Sequence, residues 1–346
     1  MSGRIRVALL AGGRSSEHEI SLASARSVLE ALDPERYDVV SVAIGRDGRW
    51  QLEPRLGPGP VTELSRGAAE TLPVPATDGT MQALGAVDVV LPILHGPFGE
   101  DGTVQGLLEL ADVAYVGSGV AASALAMDKD LFKKVMRDSG IPVAKHHAIR
   151  LGDAIENPFG YPVFVKPASL GSSVGISKVH DESELEPAVA LAFRHCEKVL
   201  VEEFVEGVEV ECGVLGNRVP PPIASLPGTI DTLDHEWYDF ASKYDADGME
   251  LIVPPDLPQE TIALVQRRSV DAFIAGECEG LARVDFFVRA SDGEVVLNEL
   301  NTIPGFTATS VYAKLFEASG IEYGDLIDRL IALALERRER RSRLVY

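Results

Sequence analysis

Apolar residues in the first hundred positions alternate between the spacing of strands and the spacing of a helix. Continuous apolar stretches predict strands over 4–10, 39–44 and 87–94, and apolar positions three to four residues apart predict a helix over 21–32. A strand, a helix and a further strand in this order favour a parallel sheet. Residues 53–80 are rich in Pro, Gly, Thr and acidic residues and predict an irregular insertion, whose role the sequence does not indicate.

The middle of the chain continues with shorter elements. The pattern predicts helices over 103–110 and 121–139, on either side of a short strand at 114–116, and Gly140-Ile-Pro142 marks a boundary. A small α+β unit follows, with strands over 163–166, 175–179 and 199–203 and a helix over 183–193. The remainder combines further strands with a long loop over 226–253, a helix over 259–275, a hairpin and a terminal helix.

The hairpin over 283–301 carries polar side chains among Val, Phe and Leu residues. With a side-chain period of two, Arg283 and Asp285 project from one face of its first strand, and Glu299 and Asn301 from one face of its second. A three-residue loop at 291–293 pairs Asp285 with Glu299 and Arg283 with Asn301. A two-residue Asp-Gly loop would place these residues on opposite faces, and both registers are open at this point.

Asp285 and Glu299 are candidate metal ligands, because two carboxylates that face each other repel unless a cation lies between them. The alternative is an ordinary hairpin whose polar residues face water. Oxygen ligands suit Mg²⁺ rather than zinc. The hairpin therefore indicates a magnesium-nucleotide site formed by two carboxylates, the amide of Asn301 and the guanidinium of Arg283.

Composition and charge narrow the class of protein. The chain has 346 residues, 46% of them hydrophobic, which is enough for two or three domains. Its formal net charge of -21 disfavours nonspecific binding to nucleic acid or to anionic membranes. The basic segment 337–343 is interpreted as the solvated end of an amphipathic helix, where cations complement the helix dipole.

Cellular location is indicated by what the sequence lacks. No apolar run reaches the roughly 18 residues of a membrane span, and the N-terminus has no signal-peptide pattern. A cytoplasmic protein is expected. Cys196, Cys212 and Cys278 lack the spacing of metal ligands and are interpreted as reduced, structural thiols.

A second candidate site lies where the strand ending in Lys166 runs into a loop rich in Gly and Ser, residues 167–175. Backbone N–H groups and hydroxyl groups in such a loop can surround phosphate oxygens. Taken alone, the loop could equally be a simple turn. Lys166 favours the phosphate interpretation, since a half-buried ammonium group at the end of an apolar strand needs an anionic partner.

Several motifs occur together along nearly the whole chain. They are Gly12 to Ser21, Leu94 to Gly102, Met127-Asp-Lys129, Lys166 to Gly175, Glu202-Glu203-Phe204, Tyr238 to Tyr244, Arg283-Val-Asp285 and Asn298 to Gly305. In this order they resemble the ATP-grasp superfamily and, within it, the D-alanine:D-alanine ligases. The resemblance implies an α/β protein with an N-terminal Rossmann-like parallel-sheet domain, followed by a two-lobed α+β ATP-grasp fold. The implied domains are 1–122, a small central lobe over 123–213, and a C-terminal lobe over 214–346 with an active-site loop at 226–253.

The resemblance also implies roles for individual residues. For the amino acids, Glu17 would hold the ammonium group of the first D-alanine near His95. Arg283 and Ser310 would receive the carboxylate of the second, and Gly305 would allow close approach of the backbone. Ser172 and Tyr244 would orient Glu17 by hydrogen bonding. The residues implied to bind ATP are Lys129, Lys166, Ser173, Glu202, Glu203, Glu209 and Lys243. Asp285, Glu299 and Asn301 would hold two Mg²⁺ ions, for which Mn²⁺ can substitute, and a homodimer is implied.

Without the resemblance, most of these residues have plainer interpretations. Glu17 would be an acid at a helix N-terminus, and His95 a satisfied core histidine. Glu202, Glu203 and Glu209 would be solvated acids on strands.

The implied reaction activates a carboxylate with ATP. Phosphorylation of the first D-alanine gives D-alanyl phosphate, the amine of the second attacks it, and Arg283 stabilises the oxyanion. The products would be D-alanyl-D-alanine for peptidoglycan precursor synthesis, ADP and phosphate. The alternatives are another ATP-grasp carboxylate-amine ligase, a D-alanine:D-lactate ligase, and a nucleotide-binding regulator without turnover.

Overall fold

The computed structural model describes residues 3–53, 86–171, 174–232 and 249–345. The chain divides into two compact units, one formed by Met1–Val120 with Ile303–Tyr346 and the other by Ala121–Thr302. The three-part division implied by the resemblance stays a prediction. None of the described helices is both long enough and apolar enough to cross a membrane.

The first unit is built on a five-stranded sheet in the order β3-β2-β1-β4-β5. Its strands are β1 (Ile5–Gly12), β2 (Tyr37–Ile44), β3 (Trp50–Glu53), β4 (Val89–Ile93) and β5 (Ala114–Tyr115). The pairings β1–β2, β1–β4 and β4–β5 are parallel, and β3 adds an antiparallel edge. All five residues of β4 are buried. A central strand of a parallel sheet is covered on both faces, which agrees with the continuous apolar sequence of β4. The predicted parallel sheet is confirmed.

Eight helices lie within the described ranges. They are α1 (His18–Ala31), α2 (Thr103–Leu110), α3 (Val120–Met127), α4 (Lys129–Asp138), α5 (Glu182–Phe193), α6 (Gln259–Ala275), α7 (Val311–Ala318) and α8 (Tyr323–Arg341). The single helix predicted over 121–139 is wrong, because Asp128 separates α3 from α4. Its backbone is extended, and its side chain accepts hydrogen bonds from the backbone N–H groups of Asp130 and Leu131.

The second unit contains two four-stranded antiparallel sheets, in the orders β6-β9-β7-β8 and β11-β10-β14-β15. The strands of the first are β6 (His146–Arg150), β7 (Val163–Pro167), β8 (Ser177–Val179) and β9 (Lys198–Glu203). Those of the second are β10 (Gly207–Gly216), β11 (Ile223–Ala224), β14 (Gly280–Arg289) and β15 (Val295–Asn301). Helix α5 packs on the first sheet and α6 on the second.

The predicted loop over 226–253 includes two short strands. β12 (Thr229–Thr232) and β13 (Met249–Ile252) form an antiparallel pair. Residues 233–248, which connect them, lie outside the described residues. So do residues 54–85, which include all but the first residue of the insertion predicted over 53–80.

The register of the β14–β15 hairpin pairs Asp285 with Glu299 and Arg283 with Asn301, which confirms the first of the two predicted registers. The predicted three-residue loop is wrong. Arg289 donates its N–H to Glu294 O at 2.9 Å, so the loop has four residues, 290–293. With that loop alone Asp285 would face Asn298. A bulge restores the alignment, because Phe286 pairs with Leu297 and Asp285 with Glu299, which leaves Asn298 as the extra residue.

Alternation along these strands separates core from candidate site. On one face Cys212, Val284, Phe286 and Leu297 belong to the apolar core beneath α6. The opposite face carries the polar residues at odd positions of β10 and β14. Cys196, Cys212 and Cys278 are free thiols, and burial raises the pKa of Cys212 to about 11, which suits a structural role.

The C-terminal basic segment only partly fits its prediction. Arg338, Arg340, Arg341 and Arg343 are exposed near the end of α8. Arg337 is instead buried, with 4% exposure. Its guanidinium donates to Tyr115 O at 2.9 Å and to Gly117 O, and it lies 4.2 Å from the centroid of the Tyr115 ring. It therefore binds the backbone carbonyls at the end of β5 rather than facing solvent.

Candidate active site

Three carboxylates form a row across adjacent strands of the second unit. Glu211 of β10 pairs with Asp285 of β14, which pairs with Glu299 of β15. Side chains of directly paired residues lie on the same face of a sheet. In the neighbouring row Gly213 pairs with Arg283, so no side chain of β10 competes with the guanidinium for space.

Arg283 is held by this row of carboxylates. Its Nε and Nη2 atoms donate to Asp285 Oδ1 and Oδ2 at 2.8 and 2.7 Å, and Nε lies 3.4 Å from Glu211 Oε2. Burial alone would lower the pKa of Arg283, but Asp285 and Glu211 outweigh it and hold that pKa well above its usual value. The planar pair of hydrogen bonds to Asp285 fixes the orientation of the guanidinium.

The predicted ligands Asp285, Glu299 and Asn301 fit Mg²⁺ by their donor chemistry. All three offer oxygen atoms, and Asn301 donates its amide N–H to Asp285 Oδ2 at 2.9 Å, which fixes the orientation of the amide. Among the residues described, no group of three or more His, Cys, Asp or Glu side chains is arranged to hold a metal ion by itself. Mg²⁺ at nucleotide sites commonly uses one or two carboxylates and completes its coordination with phosphates and water. The assignment stays a proposal.

Glu211 is a candidate residue that the sequence prediction missed. It is buried, with 3% exposure, beside Arg283. The signal was available, since Glu209-Val-Glu211 has the same alternation as Arg283-Val-Asp285. It could not be interpreted before the pairing of β10 with β14 was known.

Replacing Glu211 with glutamine is expected to reduce turnover about tenfold, because Arg283 loses a charged contact that orients it. Steady-state kinetics should show the loss in kcat, with the KM for ATP nearly unchanged. Glu206→Gln, an exposed position just before β10, is the control. Equal kinetic constants in the wild type and Glu211→Gln would contradict the role.

The predicted phosphate-binding lysines lie on helix α4 and on the first sheet of the same unit. Lys129 Nζ donates to Leu170 O at 2.8 Å and lies 3.5 Å from Glu299 Oε2. Lys166 Nζ, at the end of β7, donates to Glu202 Oε1 at 2.6 Å. The backbone N–H of Lys129 donates to Ala168 O at 2.9 Å, which ties the start of α4 to the loop after Lys166.

The remaining predicted nucleotide residues are placed as follows. Glu202 is buried and lies between two lysines, 2.6 Å from Lys166 and 2.9 Å from Lys133. Glu203 accepts the backbone N–H of Lys145 at 2.9 Å, and Glu209 is half-buried on β10. Their contacts with ATP stay predictions. Ser172, Ser173, Lys243 and Tyr244 lie outside the described residues.

In the first unit, Glu17 lies at the start of α1 and is buried, with 9% exposure. A Cβ atom on Gly96 would lie 2.7 Å from Glu17 Oε2, and Gly96 has a φ of +73°, so only glycine suits this position. Ser15 accepts the N–H of Glu17 at 3.2 Å and donates to His95 O at 2.6 Å. Glu17 and the end of β4 are therefore held together.

Helix α1 also holds the loop that contains Gly305 and Ser310. Ser27 Oγ accepts the N–H of Ala308 at 2.9 Å, and Ser24 Oγ lies 3.4 Å from the N–H of Phe306. Ser310 directly precedes α7, and its hydroxyl accepts the N–H of Thr307 at 3.0 Å. The predicted amino-acid residues of this unit are thus organised around one helix, although their roles are untested.

His95 is buried, and its Nδ1 lies 2.9 Å from Ile303 O, so this nitrogen carries the proton. Burial lowers the pKa of His95 below its usual value, although Glu17 opposes the shift. The imidazole is therefore neutral near pH 7. A neutral histidine can accept or donate a hydrogen bond near a substrate, which is compatible with its predicted position.

The His95→Gln variant is expected to lose part of the acid sensitivity of the fold. The unfolded chain binds a proton near pH 6.5, whereas folded His95 stays neutral to lower pH, so the free energy of unfolding falls as the pH drops below about 6.5. One histidine contributes at most about 1.4 kcal/mol per pH unit. Urea unfolding between pH 7 and 5 should give a shallower slope for His95→Gln. His180→Gln, an exposed position, should keep the wild-type slope, and parallel slopes for all three proteins would contradict the prediction.

The chain combines a parallel-sheet unit with a unit of two antiparallel sheets, and its lysines lie close to paired carboxylates. These are the features of an ATP-grasp enzyme. Enzymes of this class activate carboxylates with ATP. Two family models match the chain, D-ala D-ala ligase N-terminus over residues 6–118 and D-ala D-ala ligase C-terminus over residues 135–332. D-alanine–D-alanine ligase A of Mesorhizobium japonicum is 47% identical, and the match covers 99% of this chain and 100% of that protein. The chain belongs to the D-alanine–D-alanine ligase family.

Solved structures agree with this assignment. The D-alanine-D-alanine ligase from Coxiella burnetii is 35% identical and superposes with a TM-score of 0.80, covering 98% of this chain and 96% of that one. The Bacillus anthracis enzyme, solved in complex with ATP, is 26% identical with a TM-score of 0.76 and covers 97% and 99% of the two chains. The predicted family and fold class are confirmed.

Proposed function

We propose that this protein joins two molecules of D-alanine in an ATP-dependent reaction and releases D-alanyl-D-alanine, ADP and phosphate. One observation carries the proposal beyond family membership. Asp285, Glu299, Asn301 and Arg283 share one face of the sheet, with Lys129 close to Glu299. This set supplies both negative charge for a divalent cation and positive charge for phosphate and oxyanion groups. The dipeptide is a precursor for peptidoglycan synthesis.

We assign the phosphoryl-transfer chemistry to residues of the second unit. Lys129 and Lys166 bind phosphate oxygens of ATP and spread the charge of the group in transfer. Asp285, Glu299 and Asn301 are the residues that would hold Mg²⁺. Bound there, Mg²⁺ would neutralise charge on the transferring phosphoryl oxygens. Two ions, and replacement by Mn²⁺, stay predictions.

Arg283 acts in the second half of the reaction. The amine of the second D-alanine attacks the carbonyl carbon of D-alanyl phosphate, and negative charge builds up on the carbonyl oxygen. A fixed guanidinium stabilises this oxyanion until phosphate leaves, because its orientation needs no rearrangement during the reaction. Glu211 and Asp285 supply the contacts that fix it.

The amino-acid substrates are assigned to residues around α1. Glu17 binds the ammonium group of the first D-alanine, and its burial strengthens the attraction between the two charges. His95 contributes a neutral hydrogen-bonding group. Gly305 allows the backbone to approach the second D-alanine, and Ser310 donates to its carboxylate. The proposed homodimer and the contributions of Ser172, Ser173, Lys243 and Tyr244 rest on the resemblance alone.

The direct test is ADP release with D-alanine as the only amino acid, together with detection of the dipeptide by mass spectrometry. D-alanine should support stoichiometric ADP and dipeptide formation. L-alanine, and D-lactate offered together with D-alanine, are the comparison substrates. A preference for D-lactate as acceptor would indicate the ester-forming alternative. ATP binding without any D-alanine-dependent ADP release would contradict the proposal and favour a regulator.

A further inference from the structure

Lys133 is a buried lysine that has no assigned role in the proposed reaction. It lies on α4 one turn after Lys129, and its side chain has 0% exposure. It therefore cannot contact a substrate directly. A buried ammonium group is costly unless an anion compensates it, so its presence needs an explanation.

Its ammonium group contacts the same carboxylate that holds Lys166. Lys133 Nζ lies 2.9 Å from Glu202 Oε2, and Lys166 Nζ lies 2.6 Å from Glu202 Oε1. Burial alone would raise the pKa of Glu202, but the two lysines outweigh it and hold that pKa below its usual range. Glu202 is therefore ionised. The three groups carry two positive charges and one negative charge.

Other charged or titratable groups facing Lys133 come from each neighbouring element. β6 contributes His146, and β15 contributes Glu299. Burial lowers the pKa of His146, so it is neutral, and it hydrogen-bonds Asp130 at 3.2 Å. Lys129 lies 3.5 Å from Glu299, so these two charges offset each other. The surplus positive charge is thus concentrated on Lys133, Lys166 and Glu202.

We propose that Lys133 is a positioning residue for the nucleotide: it shares Glu202 with Lys166 and so leaves one positive charge in excess for the phosphates of ATP. The inference rests on the proposed function and extends it to a residue that does not touch the substrate. Without Lys133, Glu202 would neutralise Lys166, to which it is already hydrogen-bonded, and no positive charge would remain in excess. Affinity for phosphates would then fall, while affinity for the nucleoside part would not.

The cluster formed by Lys133, Lys166 and Glu202 should also make nucleotide binding sensitive to pH. Burial lowers the pKa of Lys133 to about 8 in spite of the opposing charge of Glu202. Above that pH Lys133 loses its proton, the cluster loses its surplus charge, and the affinity for ADP should decline. The phosphates of ADP are already fully ionised there, so their own titration does not produce the effect.

The test compares Lys133→Met with Lys134→Met by isothermal titration calorimetry. Lys134 is the matched control, since it is the next residue on α4 and its side chain is 56% exposed. For Lys133→Met we expect the dissociation constants of ATP and ADP to rise about tenfold to fiftyfold, from the loss of one charge at short range. The dissociation constant of adenosine should change less than about twofold, and the control should match the wild type for all three ligands.

A double variant separates charge from packing. Because Glu202 is itself a predicted nucleotide residue, Lys133→Met with Glu202→Gln is compared with Glu202→Gln alone. With no carboxylate left to neutralise Lys166, removal of Lys133 should lower ATP affinity less in this background than in the wild type. If Lys133→Met does not fold, Lys133→Gln takes its place. Wild-type ADP affinity measured from pH 7 to 9 needs no variant and should weaken above about pH 8.

Two results would overturn the inference: equal losses for ATP and adenosine, or unchanged ATP affinity in both Lys133 variants. Wild-type ADP affinity that is independent of pH would contradict the pH prediction alone. A wild-type protein that binds ATP but forms no dipeptide would contradict the proposed function and leave the inference standing. The two failures are therefore distinguishable.

Discussion

Replacing Asp285 with asparagine is expected to reduce dipeptide formation at least about 1,000-fold, because the substitution affects both the proposed Mg²⁺ site and the guanidinium of Arg283. It removes one of the two facing carboxylates from the proposed Mg²⁺ ligands. It also removes the carboxylate that accepts two hydrogen bonds from Arg283. ADP release and dipeptide formation should fall together, since phosphoryl transfer comes first in the reaction.

The comparison protein is Asp271→Asn, in which an exposed aspartate of α6 loses its charge. It should keep wild-type kinetics. Circular dichroism should show the same secondary structure in both variants. Titration with Mn²⁺, followed by electron paramagnetic resonance in the presence of ADP, should reveal weaker metal binding in Asp285→Asn alone. Wild-type turnover, or wild-type Mn²⁺ affinity, in Asp285→Asn would refute the metal assignment.

The hairpin illustrates how far periodicity alone reaches. Alternation placed Arg283 and Asp285 on one strand face, and Glu299 and Asn301 on another, because side-chain direction is a local property. The register is not local. It depends on the loop of four residues and on the bulge at Asn298, and each of these shifts the pairing by one residue. The prediction reached the correct pairing with the wrong loop, because the two shifts cancel.

Two other errors concern a helix cap and a buried arginine. Asp128 has ordinary helix neighbours in sequence, yet it ends one helix and caps the next, and Lys198 binds its carboxylate at 2.7 Å from β9. The sequence predicts that Arg337 belongs to a solvated basic end of a helix. In the structure it instead donates to the backbone carbonyls of Tyr115 and Gly117. The partners of Arg337 lie 220 or more positions away in the chain. Asp128 caps α4 through the nearby N–H groups of Asp130 and Leu131, and its distant partner is Lys198.

Some residues of the candidate site can be identified from sequence motifs, and others only from their tertiary contacts. Residues in motifs of the family, such as Glu17, Lys166 and Asp285, could be named from the sequence. Glu211 and Lys133 could not be named, because their proposed roles depend on neighbours from other elements. Glu211 lies beside Arg283. Lys133 shares Glu202 with Lys166. A lysine in an amphipathic helix is ordinarily a solvated residue, and only burial distinguishes Lys133 from Lys134.

The Arg283→Lys variant is expected to lower the kcat of dipeptide formation about 100-fold to 1,000-fold while the KM for ATP changes little. Lysine keeps the charge, but its single ammonium group cannot reproduce the planar pair of bonds to Asp285 together with the contact to Glu211. The charge therefore remains near the site without the orientation that the developing oxyanion requires.

The two half-reactions distinguish this variant from Asp285→Asn. Positional isotope exchange in ATP, measured with D-alanine present, reports reversible formation of D-alanyl phosphate before the second amine attacks. Because Arg283 acts on the later oxyanion, Arg283→Lys should retain exchange and lose dipeptide formation, whereas Asp285→Asn should lose both. Arg289→Lys, a conservative change at the end of β14 whose ion pairs are with Asp292 and Glu294, should retain both. If exchange and dipeptide formation fell equally in Arg283→Lys, Arg283 would act in phosphoryl transfer instead, and the assignment of the oxyanion to this guanidinium would be wrong.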